Sequence, residues 1–290
     1  MLLAVEKGCR FPEQAFDGRI HSVFSHAINI ISDDPMTKTW VSLLDLSLPN
    51  TPCGLSLALA SEPLFNQCQV GDKVYLRGGI LRFSTDARLS VDSRSAINWK
   101  YPPQVNEYSL SQLKNNIHHI ENYFIKYVNG RNNPKLYITT YSDYLNYISI
   151  DVDFDLVSMP ESIVDNLGRG QGLTPSGDDF ICGLLALLNY VTQCSGSALC
   201  SYRAVQARIT DACSLQWHKT TDVSRHYLQQ ACAGDFSQPV SWLVYSIFNS
   251  ICFNEVEEII NNVLEIGSSS GIDIVSGILF GAHYLQREIN

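Results

Sequence analysis

The chain has 290 residues, enough for one large domain or two of ordinary size. It is 45% hydrophobic and 17% charged, a globular composition, and its net charge of −9 excludes a basic nucleic-acid-binding face or attachment to an anionic membrane. The start at Met1 to Gly8 lacks the basic and long apolar segments of a secretory signal, and no apolar run reaches the ~18 residues of a membrane span, so a cytoplasmic protein is expected.

Residues 1–105 read as β. Short runs at Val23 to Ile31, Trp40 to Leu48, Gly54 to Ala60, Val74 to Phe83 and Ala87 to Trp99 are separated by turn residues, the pattern of a small barrel or sandwich. Gly78-Gly79 within the fourth run predicts a bulge or sharp bend. Arg77 and Arg82 flank it and read as solvated strand positions. Tyr101-Pro102-Pro103-Gln104 is the expected linker to a second domain, 106–290.

Beyond the linker the period becomes helical. Leu113, Ile117, Ile120, Phe124 and Val128 share one face of a helix that Asn129-Gly130-Arg131-Asn132-Asn133-Pro134 should end. Residues 135–167 give a weaker pattern, read as two short helices around the alternate acids Asp151, Asp153 and Asp155, which lack the Gly and Glu of a calcium loop. Apolar stripes then predict helices over Phe180 to Val191, Ala198 to Trp217, Val223 to Ala233, Val240 to Ile251, Val256 to Ile266 and Val275 to Leu285. Nine scattered cysteines with no C-x-x-C pair read as packed thiols in a reducing compartment. The fold class is therefore α+β: a small β-barrel or sandwich followed by an all-helical domain.

The chemistry concentrates in Gly168-Arg169-Gly170-Gln171-Gly172-Leu173-Thr174-Pro175-Ser176-Gly177-Asp178-Asp179. A glycine-rich loop entering a helix can aim backbone N–H groups at an anion, where the helix dipole also favours negative charge. Ser176 is the expected N-cap, with Asp179 as its capping-box partner. The stretch lacks the Lys of a Walker loop and the leading strand of a dinucleotide fingerprint. Ser270-Gly271-Ile272-Asp273 with Ser276-Gly277 repeats Ser176-Gly177-Asp178-Asp179 with Cys182-Gly183 at a constant offset of 94 residues (270 − 176, 273 − 179, 277 − 183). Two related helices are expected to pack together with both N-termini in one cleft. Thr220-Thr221-Asp222-Val223-Ser224 is a further helix start, and beside the glycine loop it would add hydroxyl donors.

These segments together resemble a bacterial family once described as carboxylases, which includes the third, AllH-type subunit of oxamate carbamoyltransferase in anaerobic allantoin breakdown. The likeness spans most of the chain. It implies a part in moving a carbamoyl group between oxalurate and phosphate, yielding oxamate and carbamoyl phosphate, together with two other protein subunits. The candidate catalytic residues are Asp178 and Asp179. The candidate substrate-binding residues are Gly170, Gly172, Thr174, Ser176, Gly177, Thr220, Thr221, Ser270 and Asp273. In this reading Asp179 and Asp273 orient the loops, and Asp178 stands free to act on substrate or to hold Mg²⁺, the one cofactor considered. The guest is a small anion: a carboxylate, phosphate or carbamoyl compound. A non-catalytic metabolite-binding or assembly subunit and a metal-dependent hydrolase or carboxylase are the alternative readings.

Overall fold

A computed structural model describes residues 1–34, 39–58, 66–86, 89–103, 109–131, 138–148, 150, 159–194, 200–250 and 252–289. The acids at 151–155 lie outside them. Two compact units divide the chain, Met1–Tyr101 and Pro102–Asn290.

The first unit is a closed barrel. Its strands are β1 (Leu2–Lys7), β2 (Phe16–Val23), β3 (Ala27–Ser32), β4 (Trp40–Leu44), β5 (Gly54–Leu57), β6 (Lys73–Arg77), β7 (Ile80–Phe83), β8 (Ser90–Asp92) and β9 (Ile97–Asn98). The hydrogen-bonded order is β5-β4-β3-β2-β6-β7-β8-β1, and antiparallel pairing of β1 with β5 (Ala4 opposite Leu57) closes the ring of eight. β9 adds to β1 in parallel. Closure leaves no free edge within the ring. Alternation carries the inward face: in β6, Val74 and Leu76 are buried between exposed Lys73, Tyr75 and Arg77. These side chains join Ile20, Ile28, Ile30, Val41, Leu43, Leu55, Leu57, Leu81, Phe83 and Val91 in one core.

The structure refines the sequence reading of this unit at three places. The run from Val23 to Ile31 is the meeting of β2 and β3 around a turn at Phe24–His26, and β1 and β2 precede it. β2 escaped notice because only Gly18 and Ile20 of Phe16–Val23 are fully buried. Of the bulge or sharp bend expected at Gly78-Gly79, the structure has the bend. With φ of 57° and 75°, the two glycines form the two-residue turn of the β6–β7 hairpin, closed by Arg77 opposite Ile80. Arg77 is engaged on the barrel itself, donating to the Phe16 and Leu76 carbonyls at 2.9 Å and pairing with Asp17.

The second unit is helical: α1 (Leu110–Arg131), α2 (Tyr141–Tyr147), α3 (Met159–Val164), α4 (Ser176–Gln193), α5 (Cys200–Leu215), a 3₁₀ turn (Trp217–Lys219), α6 (Asp222–Cys232), α7 (Gln238–Asn249), α8 (Phe253–Leu264) and α9 (Ser270–Ile289). α1 ends at Arg131, within the Asn129 to Pro134 stretch expected to stop it. None of the described helices is long and apolar enough to cross a membrane.

At the centre α4 lies against α9, and their sequences say why. A Cβ at Gly183 would stand 2.0 Å from the Ile274 carbonyl oxygen, and a Cβ at Gly277 would stand 2.0 Å from the Phe180 carbonyl oxygen. Both residue pairs obey the 94-residue offset, so each helix presses its backbone into the notch left by the other's glycine. Such contact is open only to glycine. Around this crossing Phe180, Leu184, Leu187, Ile278, Phe280 and Tyr284 are buried in one continuous helical core.

Candidate functional site

The two helix starts meet. Thr174 Oγ1, at the end of the glycine loop, is 2.8 Å from Ser270 Oγ, the first residue of α9. The local capping differs from the sequence expectation, and the reason is tertiary. The N-cap of α4 is Pro175, whose side chain makes no capping bond, and Ser176 is the first helical residue. Instead of serving their own helices, the Ser and Asp side chains cross over. The Ser270 hydroxyl faces the Asp179 carboxyl and favours its charged form, and the Ser176 hydroxyl does the same for Asp273. The two crossed pairs are related by the same offset as the glycines.

Neighbouring Asp178 has a different role from the free carboxylate expected. It is fully buried. Its Oδ1 accepts from the Gly168 N–H at 2.6 Å. Its Oδ2 accepts from the Thr220 hydroxyl and, at 2.5 Å, from the Ser224 hydroxyl. Mg²⁺ at Asp178 would have to displace these donors. Three donors from three segments make this carboxylate the clamp that fastens the glycine loop to the start of α6. The clamp works because Gly168, at φ 75°, lies so near the 3₁₀ turn that a Cβ there would meet the Lys219 carbonyl oxygen at 2.1 Å. Thr221 completes the junction: its Oγ1 donates to the Leu173 carbonyl at 2.5 Å and accepts from Ser224 N–H at 3.0 Å, capping α6. The loop and the threonine cluster are thus neighbours in space.

Several of the N–H groups expected to face an anion are engaged. Gly177 N–H donates to the Arg169 carbonyl at 2.9 Å, while Asp178 and Asp179 N–H both donate to the Pro175 carbonyl. At α9, Gly271 and Asp273 N–H donate to the Ile266 and Ser269 carbonyls. Gly177 also abuts the Asn166 carbonyl, where a Cβ would intrude to 1.9 Å. Gly170 and Gly172 take positive φ on the exposed side of the loop.

The unmet groups are carboxylate oxygens. Asp179 is 6% exposed and Asp273 3%, yet Oδ2 of each has no hydrogen-bond partner among the described residues. Burial pushes the Asp179 carboxyl up to about 8, opposed by the Ser270 hydroxyl; the Asp273 charge then raises it, the Thr174 hydroxyl lowers it and Asp178 raises it. Asp273 is pushed up to about 6, again chiefly by burial, with Ser176 and Tyr144 opposing. Near neutral pH the pair therefore holds a proton that two exposed aspartates would have lost.

Sequence reasoning missed the tyrosines beneath the junction. Tyr144 Oη donates to Asp273 Oδ1 at 3.4 Å, and Tyr141 Oη donates to the Ser276 carbonyl at 2.5 Å. Both sit on α2, which is started by a capping box in which Thr140 accepts from Asp143 N–H. That Thr-x-x-Asp spacing was a readable signal for the helix. Ser224, expected as a hydroxyl donor beside the loop, instead meets Asp178, and the Gly168 N–H that joins it there was not foreseen. Among the described residues no group of three or more His, Cys, Asp or Glu is arranged to hold a metal ion.

The model of the family described as oxamate carbamoyltransferase subunit AllH matches residues 166–282, which include both helix starts and the threonine cluster. The model of the AllH family N-terminal domain matches residues 4–98, the barrel. No solved structure matches the chain. With its glycine loop, its repeated helix start and its barrel all inside these matches, the chain belongs to the AllH family.

Proposed function

We propose that the chain is the subunit of an oxamate carbamoyltransferase that helps to bind the transferred group at the α4–α9 junction. The reading rests on one observation: two buried carboxylates, Asp179 and Asp273, each with an unmet oxygen, where the starts of two duplicated helices touch. The reaction is transfer of a carbamoyl group between the nitrogen of oxamate and phosphate. In the direction of oxalurate cleavage, a phosphate oxygen attacks the terminal ureido carbon, the C–N bond breaks, and the departing oxamate nitrogen takes up a proton. A carboxyl held protonated near neutral pH, as at Asp179, suits that proton delivery. Asp178 is a positioning residue, setting the loop through Gly168, Thr220 and Ser224. The exposed backbone at Gly170 and Gly172, with the Thr174, Ser176, Thr220, Thr221 and Ser270 hydroxyls around it, is the side from which a small anion would approach. Two further subunits complete the enzyme in this reading.

The test is reconstitution. The chain, combined with its two partner subunits, should form carbamoyl phosphate from oxalurate and phosphate. Asp179→Asn and Asp273→Asn should each lower turnover about 10²–10⁴-fold, the span of a lost proton-transfer group, without lowering the melting temperature. Full turnover in both variants would refute the assignment.

A further inference from the structure

The two free oxygens also indicate which end of the substrate they meet. A phosphate or carboxylate placed beside them would face two buried acids, the ionised form of each disfavoured by burial and that of Asp179 also by the neighbouring Asp273 and Asp178 charges. A donor meets the opposite situation. Each carboxyl has hydroxyls beside it that favour its charged form, Ser270 and Thr174 for Asp179 and Ser176 and Tyr144 for Asp273, and Tyr144 holds Asp273 Oδ1 at 3.4 Å. Each keeps Oδ2 bare. Two acceptors supplied by two pseudo-symmetric helix starts match a group carrying two N–H bonds on one nitrogen.

We propose that Asp179 and Asp273 together form a receptor for the N–H donors of a primary amide, the carbamoyl or oxamate –NH₂ of the substrates, and not for their carboxylate or phosphate. This rests on the carbamoyltransferase reading and adds its orientation: the amide points inward to the helix crossing, the anionic group outward to the glycine loop.

The experiment compares isosteric probes that differ by NH₂ against CH₃: oxamate with pyruvate, and carbamoyl phosphate with acetyl phosphate. Their affinities for the full chain assembled with its partner subunits are measured by calorimetry, with inorganic phosphate alone as a third probe. The amide member of at least one pair should bind about tenfold or more tightly than its methyl counterpart, the scale of a lost charge-assisted hydrogen bond. Preference in the first pair alone assigns the receptor to the oxamate amide; preference in the second alone assigns it to the carbamoyl amide. Asp179→Asn and Asp273→Asn should each bring that ratio toward one. Equal binding within both pairs by the parent protein overturns the receptor while leaving the transferase reading intact if phosphate binds and carbamoyl phosphate is made; this arm needs no variant. A preference that survives unchanged in both variants also overturns it. Failure to bind any of the probes, with no carbamoyl phosphate formed, removes the transferase reading and the receptor with it.

Discussion

Asp178 and Asp179 are adjacent, of one residue type and buried, yet they do opposite things. Asp178 accepts from partners 10, 42 and 46 residues away, so its charge is met by donors on the loop, just after the 3₁₀ turn and on α6. Replacing it with Asn turns an acceptor into a donor against this ring of donors. Stability should fall by about 1–3 kcal/mol, the cost of leaving buried polar groups unmatched; an unchanged urea midpoint would contradict the clamp. Asp179 behaves in the other sense. Its folded value near 8 lies above the ordinary 3.8, so between those limits the folded chain binds more protons than the unfolded one. The protonated form favours folding fully below pH ~4, and that contribution drains away as pH rises through 8. Asp273 adds to the same slope up to about pH 6. Asp179→Asn should therefore be more stable than the parent at pH 8, with the gap closing toward pH 4.5; parallel stability curves would show the carboxyl to be ordinary. The sequence marks both aspartates as notable but could not separate them, because what distinguishes them is the set of remote donors that one has and the other lacks.

The element that organises the second unit is the crossing of α4 and α9, and much of it could be read in advance. The constant offset of 94 residues joins Gly183 to Gly277, and a glycine inside a helix signals that a neighbouring backbone comes close. Gly183→Ala and Gly277→Ala should each lower the melting temperature severely, since each Cβ would enter a carbonyl oxygen at 2.0 Å. Mild effects for both would place the helices farther apart than described here. What could not be read was the crossing of side chains. Ser176 to Asp179 has the spacing of a capping box, and that local pattern is the same whether the serine serves its own helix or Asp273 on the other. Only the packed pair decides, because Pro175 takes the cap and frees Ser176 to reach across. Residues 135–167 read as two short helices, and α2 and α3 lie there, but the role of Tyr144 was hidden for a similar reason: it comes from contact with Asp273, 129 residues away.

At the scale of the molecule, a closed barrel and a helical unit each have a separate buried core. The β-class reading of the first hundred residues follows from alternation and turn chemistry, whereas closure by β1 against β5 depends on a pairing some 50 residues apart that no local pattern reports. The central claim concerns the second unit: duplicated helices bring Asp179 and Asp273 to one guest. The most direct test is a double-mutant cycle on the reconstituted complex, measuring carbamoyl phosphate formation by the parent, Asp179→Asn, Asp273→Asn and the double variant. Groups that act on one substrate as a unit are non-additive. The double variant should be about as slow as the worse single variant. Losses that simply multiply, as for two independent sites, would contradict the account.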